Sequence, residues 1–447
     1  MDQPGQPLAN AATPAIRIYL LAALVGLLSG ALGSVFHWIV EKAVALHTSV
    51  ASSLAGAVPA AAWIAALLGA VMAAASYLLV VRFAPEAGGS GIQEIEGAMG
   101  GLRPIRWLRV MIVKFVGGLL SIGAGLVLGR EGPTIHMGGC IGRMISEKMK
   151  LGAEGANTLL AAGAGAGLST AFGAPLAGVL FVTEEMRDRF NYTFVSLHAV
   201  ALASFLANVM NAQVFGIGPL LPIHLEISTA ASIPFPAEFF GFLPLHIGLG
   251  VLVGVFGVGF NTVMLRTLAA HDRCGPLTKL GYAAAIGAAA GALLLLAPTF
   301  AGGGDHLVQS VFAKPTTIWF LLILLVVRTG MTFLSYSTGV PGGIFAPMLA
   351  IGSVLGMSFG VIAQQVLPEL DMHPDAYALV AMGALFAATV RAPLTGIVLV
   401  AELTASFALI PTLIVTCIVA SITAQLLGSK PIYESLLDRT LEAEKKS

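Results

Sequence analysis

Charge is what this chain lacks most. Only 10% of its 447 residues are Asp, Glu, Lys or Arg, and the 23 basic and 23 acidic residues cancel to a net charge of zero. A soluble globular chain is nearer about a quarter charged. With 57% hydrophobic residues and a mean hydropathy of +0.90, the composition describes a polytopic membrane protein in a lipid bilayer. The balanced charge gives no basic surface for nucleic acid. Cysteine is equally scarce: Cys140, Cys274 and Cys417 are scattered and form no CxxC, which excludes a disulfide framework or a cysteine metal site and leaves them as packing residues. The chain has no HExxH, no GxSxG and no GxxxxGK[ST], so metallohydrolase, serine hydrolase and ATP-driven pump readings lack their chemistry. No enzyme activity, metal or cofactor is expected. The polar segment Met1–Ala15 carries Asp2 but lacks the positive start of a cleaved signal peptide, so the first span is expected to act as an uncleaved anchor.

Glycine, in contrast, is abundant: 53 residues, more than spans need, which points to close helix contacts and interrupted helices. Apolar runs predict spans over Ile16–Val44, Ala60–Val81, Trp107–Leu126, Leu159–Val182 and Tyr192–Asn211 in the first half. In the second half they predict Phe240–Leu265, Gly281–Leu296, Ile318–Phe333, Ala350–Val366, Tyr377–Glu402 and Leu409–Leu427. The expected organisation is a segment 1–15, a transmembrane repeat 16–211, a Pro-rich linker 212–236, a second repeat 237–429 and an amphipathic helix 430–447.

The stretch Leu128–Gly139 interrupts this pattern. It reads L-G-R-E-G-P-T-I-H-M-G-G and sets Arg130 and Glu131 between Gly129, Gly132 and Pro133, with apolar spans on either side. Ionisable groups at membrane depth are costly and persist where they line a pathway. Irregular backbone there needs burial in protein or a water-filled cavity. Two further breaks open helices: Gly88–Glu96, with Ser90 and Gln93 at capping-box spacing, and Ser337–Pro347, with Gly342 and Gly343. Ser90 either caps its helix or faces an anion at the helix start, and the two can coexist. Lys114 lies inside a span and is expected to pair with Glu96. His136 is expected to be packed or hydrogen-bonded, with tuning of the proton affinity of Glu131 as the sharper alternative. The cluster Glu184–Arg189 reads as a solvated helix end.

The halves are related. Ala174–Glu184 aligns with Ala392–Glu402, both as A-P-L-x-G-[VI]-[LV]-[FL]-V-[TA]-E, and Gly129-x-x-x-Pro133 aligns with Gly343-x-x-x-Pro347. Two repeats with interrupted helices at matching positions indicate a transporter whose site lies at their interface. Each helix start carries about +0.5 of a charge, so converging starts make a site for a small anion, weak enough to release it.

At this point the motifs carry a resemblance. Gly89-Ser90-Gly91-Ile92-Gln93, Gly129-Arg130-Glu131-Gly132-Pro133, Gly343-Ile344-Phe345-Ala346-Pro347 and the late Tyr433 resemble the CLC chloride channel and transporter family in order and spacing, over about residues 15–440. The resemblance implies an all-α integral membrane protein with two inverted repeats, assembled as a homodimer with one pathway per subunit. It also implies the cytoplasmic (inner) membrane of a bacterium, with both termini cytoplasmic. Ser90 and Tyr433 hydroxyls and the backbone N–H groups of Ile344 and Phe345 would bind chloride. Glu131 would be the gate shared by protons and anions, Glu185 the inner proton-transfer acid, and Arg130 a source of positive potential at the outer entrance. The implied function is exchange of chloride for protons. A passive channel is the alternative that Glu185 opposes, and a fluoride exchanger the one that Ser90 and Tyr433 oppose. Gln93 departs from the family pattern, which has proline there, and puts the rigidity of that helix start in question.

Overall fold

The structure, a computed structural model, describes residues 9–54, 58–216, 237–313, 317–368 and 373–446. The first half contributes α1 (Ala9–Leu54), α2 (Val58–Phe83), α3 (Ile92–Met99), α4 (Trp107–Gly123), α5 (Glu131–Lys148), α6 (Ala153–Phe172), α7 (Pro175–Glu185) and α8 (Phe194–Phe215). The second contributes α9 (Ala237–Asp272), α10 (Pro276–Leu296), α11 (Asp305–Ala313), α12 (Ile318–Ser337), α13 (Phe345–Val366), α14 (Pro374–Val390), α15 (Pro393–Thr404), α16 (Ile410–Leu426) and α17 (Ile432–Lys446). Among the described residues, 8 helices are long and apolar enough to cross a membrane. The others are shorter or polar and pack inside the bundle or at its ends.

Two expected spans are corrected. Leu159–Val182 is split into α6 and α7 at Gly173 (φ 65°), and Tyr377–Glu402 into α14 and α15 at Arg391 (φ 69°). The cause is Pro175 and Pro393, which lack the N–H an interior helical position must donate, and which instead start the next helix. Arg391 occupies a left-handed position that its repeat partner fills with glycine, and its guanidinium is tied to Ser429 O at 2.6 Å. Of the expected linker 212–236, residues 212–215 finish α8 and 217–236 lie outside the described residues.

The direction of the repeats follows from three reciprocal contacts. Glu402, at the end of α15, accepts from Leu176 N (3.1 Å) and Ala177 N (2.9 Å) at the start of α7. Glu184, at the end of α7, accepts from Leu394 N (3.0 Å) and Thr395 N (2.6 Å) at the start of α15. The aligned helices therefore run antiparallel, each capped by the other's acid. A carboxylate at a helix N-terminus satisfies orphan N–H groups and meets the favourable end of the dipole. Gly69 and Gly287 likewise face each other across α2 and α10, and Gly129 and Gly343 exchange both backbone hydrogen bonds at 2.8 Å. Reciprocal contacts between equivalent residues are what a two-fold axis generates, and antiparallel equivalents place that axis in the membrane plane. The repeats are inverted.

Glycine seams let these helices touch. A Cβ on Gly138 would strike the Gly163 carbonyl, and one on Gly163 the Gly138 carbonyl, across α5 and α6. In the second half Gly352 and Gly356 meet the Ala381 and Tyr377 carbonyls across α13 and α14. Lipid gives no hydrophobic drive for such pairing, so packing at backbone distance must supply it. We expect Gly138→Val to destabilise the detergent-solubilised protein by about 1–3 kcal/mol, the usual cost of overpacking. Gly281→Ala, where no atom lies within 4 Å, should be neutral or slightly stabilising. Thermal unfolding followed by size-exclusion chromatography compares them, and equal midpoints would refute the seam's role.

Candidate functional site

The three breaks meet. Gly89 N donates to Val340 O (3.1 Å), Gly342 N donates to Gly89 O (3.0 Å), and Gly129 pairs with Gly343. Backbone groups released by each interrupted helix are thus satisfied by the other interruptions, which low-dielectric surroundings require. Side chains complete the frame: Ser121 Oγ donates to Pro341 O, and Val127 N donates to Ser335 Oγ at 3.1 Å. The loops approach so closely at Gly132 that a Cβ there would lie 2.9 Å from Ser90 Cα and 3.0 Å from Gly343 Cα.

From this knot start α3, α5 and α13. Glu131 is the first residue of α5, fully buried, and its Oε1 accepts from Phe345 N (2.9 Å) and Ala346 N (3.1 Å) at the start of α13. The carboxylate therefore occupies an anion position at a helix N-terminus. Gly129 and Gly343 leave its room, since a Cβ on either would run into Glu131. Of the two expected backbone donors, Phe345 is engaged by Glu131, and its neighbour is Ala346 rather than Ile344. The Phe345 ring is wedged against Phe386 at 4.1 Å and Phe172 at 5.1 Å, which fixes the helix start.

Ser90 and Tyr433 come together as expected. Both are fully buried and lie near each other, and neither Ser90 Oγ nor Tyr433 OH has a partner at hydrogen-bonding distance among the described residues. Two orphaned donors at one buried point are unfavourable unless an acceptor joins them. A small anion between them would supply it. Ser90 N donates to Tyr336 OH at 3.3 Å, a residue that sequence reasoning missed. Its only signal is position: a hydroxyl-bearing aromatic just before the Ser337–Pro347 break.

Three expectations are corrected. Ser90 does not cap α3 and the capping box with Gln93 does not form. Gly91, at φ 86°, turns the chain so that the helix starts one residue later, with Gly91 as cap and the Gln93 Oε1 unpartnered. Lys114 does not pair with Glu96: its Nζ donates to Ala87 O (3.0 Å) and Gly89 O (2.7 Å), carbonyls stranded by the first break. Glu96 instead lies beside Glu185, and the two carboxyls share the lining of one small cavity. Glu184–Arg189 is not simply a solvated helix end, because Glu184 caps α15 and Glu185 joins Glu96. His136 is packed and buried beneath Gly91, with neither ring nitrogen hydrogen-bonded among the described residues.

Glu131 and Glu185 face different openings. A cavity of about 1110 Å³ is lined by Arg130, Glu131, His37, Glu41, Asn211 and Glu402. A smaller one of about 100 Å³ is lined by Glu96, Glu184, Glu185, Arg189, Arg391 and Glu434, beside α17. The buried core with Ser90, Tyr433 and Phe345 contributes to neither lining. The arrangement suits an anion and a proton carried between two openings. Arg130 caps α5 and reaches Ala171 O with Nε at 3.4 Å, at the edge of the larger cavity.

Comparison with known proteins agrees with this geometry. The family model described as voltage gated chloride channel matches residues 72–425. The chain is 43% identical over 449 residues to an H(+)/Cl(-) exchange transporter ClcA of Vibrio parahaemolyticus, covering 99% of this chain and 94% of that one. It is 45% identical over 434 residues to the protein of the same name from Vibrio cholerae, covering 96% and 90%. Among solved structures, a slow cyanobacterial Cl-/H+ antiporter superposes with a TM-score of 0.90 at 39% identity, covering 95% of this chain and 98% of that one.

Tyr336→Phe removes the acceptor of the Ser90 N–H while keeping the ring. A buried hydrogen bond contributes about 0.5–1.5 kcal/mol, so we expect anion affinity to fall by up to about tenfold. Calorimetric titration with chloride measures it, and an unchanged affinity would remove Tyr336 from the site.

Proposed function

The chain belongs to the voltage gated chloride channel family, and from that premise we infer that it is a secondary antiporter exchanging chloride for protons. The observation that carries the reading is Glu131 Oε1 seated on the Phe345 and Ala346 N–H groups. Ionised, the carboxylate is the anion of that position and excludes chloride. Protonated, it loses the charge that these charge-assisted bonds recognise, leaves, and frees two donors for an incoming chloride. Proton and chloride therefore exchange at one place, and neither moves far without the other.

The central position between Ser90 Oγ and Tyr433 OH holds a chloride on neutral donors and helix dipoles. Partial charges bind it without the tight hold of a full countercharge. Glu185, paired with Glu96, stands at the smaller opening and passes protons between that side and Glu131. In this reading one proton exchanges between the two neighbouring carboxyls, which makes the pair a source and an acceptor in one. The larger cavity faces outward and the α17 face is cytoplasmic in this reading, with both termini inside a bacterial inner membrane. The repeats 16–211 and 237–429 form one pathway per subunit. Exposed Leu176, Leu394, Ile414 and Ile418 suit a homodimer contact or lipid around the α7–α15 pair. The gradient of either ion supplies the energy, so the transport step calls for no cofactor.

The test uses purified protein in liposomes under a chloride gradient, with external pH recorded. The unaltered protein should drive protons uphill. Glu131→Gln and Glu131→Ala should move chloride without protons, and Glu185→Gln should lose proton movement while chloride flux persists. Chloride-driven proton uptake surviving in both Glu131 variants would contradict the gate. Chloride flux with no proton movement in the unaltered protein would make it a channel.

A further inference from the structure

The larger cavity contains a titratable pair that the exchange reading leaves unused. His37 lies on α1 and lines the cavity with Glu131, yet the residue is only 3% exposed. Its Nε2 is 3.0 Å from Glu41 Oε1, one helical turn away, and the Glu41 side chain is 58% exposed at the cavity mouth. The other nitrogen, Nδ1, is buried and has no hydrogen-bond partner among the described residues. The ring is held in place by Phe215, stacked at 4.4 Å and 30°. A wet carboxylate is thus wired to one side of a fixed imidazole, whose other side carries an unsatisfied nitrogen within the protein. Such a nitrogen calls for a water or a mobile proton.

We propose that Glu41 and His37 form a proton relay between bulk water and Glu131 on the larger-cavity side, a step that rests on the exchange reading above. An imidazole passes a proton by taking one at one nitrogen while releasing one from the other. Protonated Glu41 donates to Nε2, the buried Nδ1 releases its proton to a water that enters from the cavity, that water passes it to the Glu131 carboxylate, and Glu41 ends ionised. The ring, now protonated at Nε2, resets by turning over about its Cβ–Cγ bond, out of and back into its stack on Phe215. One proton enters and one leaves, so no other reactant is needed. The charged groups that line the cavity with the pair set its bias. Arg130 on α5 opposes a lasting positive charge on the ring and so favours transfer over storage, while Glu131 on α5 and Glu402 on α15 draw protons inward. Phe215 and Asn211 on α8 contribute no charge.

The experiment measures chloride-driven proton flux in liposomes for the full chain, with the cavity-side pH varied from acidic to neutral. We expect His37→Ala to slow proton flux by about tenfold, a loss at the low end of what a positioned proton carrier supplies, and most where free protons are scarcest. Imidazole buffer added on the cavity side should restore the flux. His37→Gln, which keeps the volume but cannot relay, should behave as His37→Ala does, and Glu41→Gln should slow flux in the same pH range. In a Glu131→Ala background, adding His37→Ala should leave chloride flux unchanged, which shows an intact pore. Unaltered proton flux in His37→Ala, a loss that imidazole does not repair, or full activity of His37→Gln would each overturn the relay and leave a stacked structural histidine. Failure of the parent protein to move protons at all would sink the exchange reading, and the relay with it, whereas a working parent with an indifferent His37→Ala sinks the relay alone.

Discussion

The structure depends on one constraint: backbone polar groups at membrane depth must find partners in protein. Three helices stop there, at Gly88–Gly91, Leu128–Arg130 and Gly339–Ile344, and each would strand donors and acceptors if it stood alone. They are tolerable because they stop at the same place. Gly89 bonds Val340 and Gly342, Gly129 bonds Gly343, and Lys114 takes the carbonyls of Ala87 and Gly89. What remains unpaired is selective. The helix starts of α3, α5 and α13 leave N–H donors over at one point, which is the arrangement an anion site calls for.

The inverted repeat explains why such a meeting occurs at all. A two-fold axis brings equivalent breaks from opposite sides to one depth, so Gly129 meets its own counterpart Gly343, and Glu184 and Glu402 cap each other's helices. Glycine enters wherever backbones must pass within the reach of a Cβ, as at Gly132 against Ser90 and Gly343. The symmetry is then broken where function requires it. Glu131 in the first repeat is an acid, and its counterpart Phe345 in the second supplies a backbone N–H to hold that acid.

The chemistry follows from a carboxyl that is interchangeable with the transported ion. In the proposed exchange, ionised Glu131 is a tethered anion on the N–H groups of Phe345 and Ala346 that chloride would use, so proton binding and chloride binding become one competition. On the other side of the knot, Glu96 and Glu185 line a small opening together. On the near side, His37 and Glu41 line the larger opening. In that reading, two openings with the buried Ser90, Tyr433 and Phe345 lining neither of them favour exchange over free flow.

Much of this was legible in the sequence, because the signals are local. Low charge and long apolar runs fixed the membrane class. Glycine and proline beside Arg130 and Glu131 marked an intramembrane break, and the Ala174–Glu184 and Ala392–Glu402 alignment revealed the repeat. Ser90, Glu131, Phe345 and Tyr433 were named from motifs, and the structure brings them to the three converging breaks. Tertiary structure alone decided the partners. The capping box at Ser90 failed because Gly91 adopts φ 86°, a backbone choice that spacing cannot report. Lys114 took carbonyls, since a buried charge pairs with whatever the fold leaves unsatisfied nearby, and Glu96 came to lie beside Glu185 instead. The sense of the repeats, the role of Tyr336 and the Glu184–Glu402 exchange of caps rest on contacts between residues far apart in the chain. Those contacts depend on how helices lie in space, whereas periodicity and motif record only what neighbours along the chain require.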